Sequence, residues 1–254
     1  MKHQLEPISL VLDQAARQAK AIDQLNIQEK YTLDQAYTIQ KMSINQRIER
    51  GEEIVGYKLG FTSKAKMEQM GVHEIIWGRL TDLMHIENGS MLPSNRFIHP
   101  RAEPEVAFLV KKKISNALAK QDLSAHISHM AAAIEIIDSR YKNFKFSLED
   151  VVADNCSSSG YVIGDWIVFS ESLDDLSIEM NINDHQTLGN TKAILGDPIN
   201  SLVAISELTE KYDFQIKAGQ GILAGAATAA QFIHPGDQVQ ADFQSLGTIS
   251  FRVI

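Results

Sequence analysis

From residue 53 onward the chain is cut into short segments by turn signals: "ENGS", "LPSN", "HPRAEP", "LGDP", "HPGDQ" and "QSLG". Gly, Pro and Asn at that density favour many short strands over long helices. "EIVGYKLGFTS" is itself short, glycine-punctuated and strand-like, and "KAKMEQMGV" behind it reads as a short helix. The closing "GDQVQADFQSLGTISFRVI" alternates as a hairpin does. Two further stretches inside this region read as helical. "LSAHISHMAAAIEIID" predicts a helix feeding a strand. "DPINSLVAISELTEKY" predicts a helix with Asp197 as N-cap and Pro198 at its first position.

Residues 7–50 have another texture. "SLVLDQAARQAKAIDQL" predicts an amphipathic helix with Leu10, Ala15, Ala19, Ile22 and Leu25 on its apolar side. "TLDQAYTIQKMSINQRIERG" predicts a second, from Thr32 as N-cap to Gly51 as stop, with Tyr37, Ile39, Ile44 and Ile48 inward. The expected architecture is α+β and β-rich. A catalytic unit spans 53–254, with a helical N-terminal region, 1–52, packed on the core.

Composition excludes some functions. No apolar run reaches the roughly 18–20 residues of a membrane-spanning helix. The net charge is -8 without a basic stripe, which argues against nucleic acid as a partner. The opening "MKHQLEPISLVLDQAARQAK" lacks the apolar stretch of a secretory leader. Cys156, the single cysteine, excludes an intramolecular disulfide. A cytoplasmic protein is expected.

"HPRAEPEVAFLV" then poses a problem. Glu103 and Glu105 stand two apart before an apolar run, and residues two apart on a strand share a face. Further on, "AAAIEIIDSR" sets Glu135 between isoleucines. Two readings stand: a solvated edge strand, or oxygen ligands for a divalent cation such as Mg²⁺ or Mn²⁺. A buried carboxylate needs a cation beside it. Zinc is poorly supported, since the eight histidines show no ligand spacing.

"GYKLGFTS", "HPRAEPEVAF", "IEIIDSRYKNFKF", "VVADNCSSSGYVIG" and "ILGDPINSLVAI", in this order, resemble the 2-keto-4-pentenoate hydratase and 4-oxalocrotonate decarboxylase family, within the fumarylacetoacetate hydrolase superfamily. The resemblance implies a mixed β-sandwich roll with helices outside. It implies Glu103, Glu105 and Glu135 as Mg²⁺ ligands and Lys58 as a catalytic group. Gly225 and Thr228 would form a floor for substrate, and Asp154, Asn155 and Asp138 would support the acids from behind.

Both reactions of such a family pass through one dienolate, so the metal cannot tell them apart. Hydration needs a proton shuttle, and the family's hydratases tend to carry an aspartate in a "D-F/Y-G"-like element. Here "HEIIWGRLTD" puts Ile76 at that place. The expected reaction is therefore decarboxylation of 2-oxo-3-hexenedioate (4-oxalocrotonate). A 2-keto-4-pentenoate hydratase or a dicarboxylate hydratase is the alternative. A distal carboxylate calls for a cation, for which Arg140 and Arg79 are the candidates. The resemblance also implies a complex with a vinylpyruvate hydratase, and a homo-oligomer is expected. An acylpyruvate hydrolase would need a water-activating His–Glu pair, for which only His73 offers itself between 53 and 75. "DNCSSSGYVIG" reads as a polar turn rather than a nucleophile loop, because no histidine adjoins Cys156 or Ser157.

Overall fold

The strand-length segments between the turn signals pair into two sheets. The computed structural model describes residues 2–26, 30–63, 74–171, 173 and 175–254. Its strands in chain order are β1 (Ile54–Gly60), β2 (Ile76–Thr81), β3 (His85–Ile86), β4 (Met91–Leu92), β5 (Arg101–Val110), β6 (Ile127–Ile137) and β7 (Ser158–Ile163). They continue with β8 (Ile167–Val168), β9 (Ser177–Ile182), β10 (His185–Asn190), β11 (Gly221–Ala226), β12 (Gln231–Phe232), β13 (Gln238–Asp242) and β14 (Thr248–Val253). Among the described residues, a nine-stranded sheet runs β2-β1-β11-β5-β6-β7-β3, with β12 beside β5 and β8 beside β6. A five-stranded sheet runs β10-β9-β13-β14-β4. The large sheet is mixed: β1 meets β11 in parallel, whereas β5 and β6 are antiparallel. This is the expected β-rich α+β roll.

The helices are α1 (Lys2–Gln18), α2 (Leu33–Glu49), α3 (Leu148–Ala153) and α4 (Ile199–Lys211). The α2 N-terminus carries the expected signal. Thr32 accepts from the Gln35 N–H, and the Gln35 side chain accepts from the Thr32 N–H in return. Gly51 follows at φ 101, where L side chains strain. In α4, the Ile199 N–H donates to the Asp197 carboxylate at 3.0 Å. Residues 64–72, expected as a short helix, and His73 lie outside the described residues.

Two expectations fail locally. The first helix stops at Gln18, because Ala19 turns left-handed at φ 48. The chain beyond runs as a strap: Ile22 bridges to Tyr141, its N–H donating to the Arg140 carbonyl at 2.8 Å. The buried face of α1 is Leu5, Ile8, Leu12 and Ala15, while Leu10 is exposed. The alanine run of "SHMAAAIEIID" is strand throughout, since pairing on both sides, with β5 and with β7 and β8, overrides alanine's helical preference.

One core joins these parts. Leu12 and Ile39 from the helices share it with Trp77, Phe108 and Phe251 from the sheets. Tyr37 of α2 stacks on Trp77 of β2 at 5.1 Å, and Phe214 stacks on it at 4.0 Å. Each such ring buried contributes on the order of 1.5–3 kcal/mol. The buried Gln40 amide donates to the Trp77 and Val152 carbonyls at 3.1 and 2.8 Å, fixing α2 to the sheet and to α3.

Candidate metal centre

Alternation along β5 puts Arg101, Glu103, Glu105 and Ala107 on one face. Antiparallel register sets Glu103 opposite Glu135, Glu105 opposite Ala133 and Ala107 opposite Ala131. Ala107, Ala131 and Ala133 pack with Leu80, Met84, Tyr161 and Leu223. That face is thus apolar along much of its length and turns acidic at one end. There Glu103, Glu105 and Glu135 each bring a carboxylate oxygen within 4.8 Å of the other two. Glu105 and Glu135 are 1% and 0% exposed, so water does not screen them.

Lys58 enters from β1, beside β11, and its Nζ lies 2.9 Å from Glu135 Oε2. It also donates to the Cys156 carbonyl at 3.2 Å. Burial works against its charge, but Glu135 and the other acids outweigh burial and hold its pKa above the ordinary lysine value. The balance is short of positive charge. Burial, then the neighbouring acids, push Glu105 well above the usual carboxylate range. Burial raises Glu135 too, against the pull of Lys58.

These groups fit a hard divalent cation. Oε1 of Glu105 and Oε1 of Glu135 are buried without a hydrogen-bond partner among the described residues. Glu105 Oε2 instead accepts the Gly225 N–H at 2.8 Å, which fixes its rotamer. Gly225 is required there: its φ is 109, and a Cβ would come 2.0 Å from Thr62 Oγ1.

A cavity of about 520 Å³ opens onto the cluster, lined by Lys58, Glu103, Arg101, Ile76, Phe144, Phe146, Ser157 and Ala226 among others. Ile76 stands in its wall. Gly225 reaches the acids through its backbone, and Thr228 is buried nearby in sequence without lining the cavity.

The two arginines expected to anchor substrate are elsewhere. Arg140 is buried against Asp154 and Ser159 and lines a separate cavity of about 150 Å³ beside Asp13 and Arg50. Arg79 bonds the Gln40 amide oxygen and lies 4.6 Å over the Trp77 ring, where burial lowers its pKa to about 10. Neither lines the cavity that holds the acids. The supporting residues also differ from expectation. Asp154 pairs with Arg140, and burial holds its carboxyl up at about 6 despite that cation. Asp138 accepts the Ile98 and His99 N–H groups at 2.8 Å each, and Asn155 clasps the Arg79 backbone at 2.8 Å. These three shape the loops around the site, not the carboxylates themselves.

The sequence reading also missed two groups. Asn155, Cys156 and Ser157 are consecutively left-handed at φ 51, 52 and 59, which turns the Cys156 carbonyl to Lys58 and brings Cys156 and Ser157 to the cavity. Asparagine tolerates that conformation, but nothing in Cys156 or Ser157 signals it. Burial pushes the Cys156 thiol up to about 12, so it is no nucleophile. Arg101 is the second, and the strand period already placed it on the acidic face.

This roll is the architecture of the fumarylacetoacetate hydrolase family. That family's model, "Fumarylacetoacetate (FAA) hydrolase C-terminal", matches residues 63–254, and the chain belongs to it. It is 45% identical to a 4-oxalocrotonate decarboxylase of a Pseudomonas species, over 94% of each chain. It is 31% identical to a 2-hydroxyhexa-2,4-dienoate hydratase of Comamonas testosteroni, over 95% of this chain and 94% of that one. A solved 4-oxalocrotonate decarboxylase of Pseudomonas putida G7, complexed with magnesium and adipate, superposes with a TM-score of 0.96 at 33% identity, covering 100% of this chain and 98% of that one.

Proposed function

We propose that this protein is a Mg²⁺-dependent 4-oxalocrotonate decarboxylase, releasing CO₂ from 2-oxo-3-hexenedioate to leave 2-hydroxypenta-2,4-dienoate. The observation that carries this is the meeting of Glu103, Glu105 and Glu135 at the end of a cavity whose wall at β2 is the apolar Ile76. The likeness to decarboxylases across the whole chain supports it.

Glu103, Glu105 and Glu135 would hold the cation. Once bound, it supplies a Lewis acid beside the 2-oxo group, where negative charge gathers as CO₂ departs. Lys58 sits 2.9 Å from Glu135 and keeps its charge. It thus offsets the acids and offers a proton donor at the inner end of the cavity. The Gly225 N–H holds Glu105 in one orientation. Ile76 has no proton to transfer, so water near it is not activated. Phe144 and Phe146 add apolar wall that excludes water from the product.

Purified protein with Mg²⁺ is expected to consume 2-oxo-3-hexenedioate, seen as loss of ultraviolet absorbance, with CO₂ appearing in step. Consumption of 2-hydroxypenta-2,4-dienoate without CO₂ would reassign the chain as a hydratase. Independently of turnover, oxalate is expected to raise the melting temperature only when Mg²⁺ is present. Ile76→Asp is expected to introduce hydratase activity. We propose a cytoplasmic location; separately, among the described residues no helix is long and apolar enough to cross a membrane. We also propose association with the hydratase that takes its unstable product, or with its own copies. Co-elution on size exclusion tests both.

A further inference from the structure

We infer that Arg101 is the group that binds the distal carboxylate of the substrate and makes the site selective for a dicarboxylate over a monocarboxylate 2-oxo acid. The inference rests on the decarboxylase reading of the cavity. Among the described residues lining it, the cations are Lys58 and Arg101. Lys58 is committed to Glu135 and the Cys156 carbonyl. Arg101 has its Nε buried with no hydrogen-bond partner. Among the described residues the fold thus gives the guanidinium no partner at Nε, which is closed off, and leaves its other N–H groups to meet a ligand carboxylate.

The surroundings prepare this side chain. Its Cζ lies 3.9 Å from the Phe144 ring centre and 4.1 Å from that of Phe232. The two rings stand edge to face, their centres 6.4 Å apart, so they flank the guanidinium from two directions and hold it in place, and its planar fork of N–H groups matches a carboxylate. Phe144 is held there at a cost. Asn143 and Phe144 are both left-handed, at φ 59 and 53, in the turn that follows β6 and precedes α3. An aromatic residue in that conformation is strained, and such strain persists where the surrounding structure imposes it.

Spacing agrees. Arg101 and Glu103 share a strand face two residues apart, about 6.7 Å along β5. The five bonds of an extended six-carbon dicarboxylate, each ~1.5 Å long and advancing about 1.25 Å along the zigzag, set its end carbons about 6 Å apart. A 2-oxo acid end at the carboxylate cluster thus sets the other carboxylate near Arg101.

The kinetic consequence is specific. As the C5–C6 bond breaks, its electron pair moves into the dienolate and C6 leaves as neutral CO₂. The contact with Arg101 is therefore strongest before reaction and weakens in the transition state, so it lowers KM rather than raising kcat.

The test compares 2-oxoadipate with 2-oxohexanoate, which has a methyl in place of the distal carboxylate. Titration calorimetry uses the Mg²⁺-loaded full chain. Wild type is expected to bind 2-oxoadipate tenfold or more tightly, and Arg101→Met to lose that preference while binding 2-oxohexanoate within about twofold of wild type. With 2-oxo-3-hexenedioate, Arg101→Met is expected to raise KM at least tenfold without lowering kcat. Arg101→Lys, which keeps charge but not the fork, is expected to recover part of the preference. An equal preference in wild type and Arg101→Met, or a loss carried by kcat alone, overturns the inference. So does a wild type that binds both acids equally, whatever the fate of the variants. Failure of wild type to bind either acid in a Mg²⁺-dependent way would instead overturn the metal reading, and the inference with it.

Discussion

Glu135 and Arg140 are five residues apart, and each belongs to a buried charge cluster built on an opposite plan. Around Arg140 the charges match. Its Nε and backbone N–H meet the Asp154 carboxylate, its Nη1 meets Ser159, and its Nη2 meets the Asp154 carbonyl. Around Glu135 they do not. Three carboxylates converge on one lysine, and two of their buried oxygens lack hydrogen-bond partners among the described residues. A matched pair is complete in itself and holds two loops together. A surplus of buried negative charge is a liability in the metal-free fold, tolerated where a cation is to bind. The same residue types thus do structural work in one place and chemistry in the other, and the local charge balance separates them.

The strongest way to break this comparison is Glu135→Gln. Decarboxylation is expected to fall about a thousandfold, the several kcal/mol that a Lewis acid supplies. The Mg²⁺-free melting temperature should stay about level, because the lost pairing with Lys58 is offset by relief of repulsion and by Glu103 and Glu105, which remain beside that lysine. A lower melting temperature with activity intact would make the cluster structural. Asp154→Ala is expected to do the reverse. Urea unfolding should show about 3–5 kcal/mol lost, as for one partner removed from a buried pair, while the folded fraction binds Mg²⁺ normally. If Mg²⁺ affinity collapsed instead, the two clusters would not be independent.

Metal and pH sharpen the contrast. Glu105 and Glu135 are held above the usual carboxylate range. The folded, metal-free protein therefore keeps protons that the unfolded chain sheds near pH 4.5, and loses stability as pH rises through the folded pKa values. Mg²⁺ displaces those protons, so its stabilising effect should grow with pH. At a fixed concentration a hundredfold above its Kd at pH 8, it should add about 2.7 kcal/mol at pH 8 and visibly less at pH 5, where the Kd is higher. Melting curves at both values check this; equal shifts would refute it. The smallest effect belongs to an exposed pair. Lys120 lies 3.0 Å from Asp197, with Lys120 more than half exposed, and Lys120→Ala should change stability by less than about 1 kcal/mol.

Much of the site was legible because strand geometry is periodic. Glu103 and Glu105 share a face by position alone, and Thr32 announced its helix as an N-cap residue. The arginines were not legible. Arg140 stands two residues from Asp138 in "IDSRYKNFKF" and read equally as an anchor or as that residue's partner, but the carboxylate that takes it, Asp154, is fourteen residues on and reaches it only through the 142–144 turn and α3 between them. Arg101 was passed over, although the same period that aligned the glutamates aligned it.

By itself, then, the sequence determined the local elements, the face on which two acids lie and, through its resemblance, the family; these depend on residues a few positions apart. The tertiary structure decided which charges are already paired. It brought Glu135 opposite Glu103, gave Arg140 to Asp154, and set Phe144 and Phe232 about Arg101. A charge's role depends on burial and on neighbours distant in sequence, and folding alone supplies both.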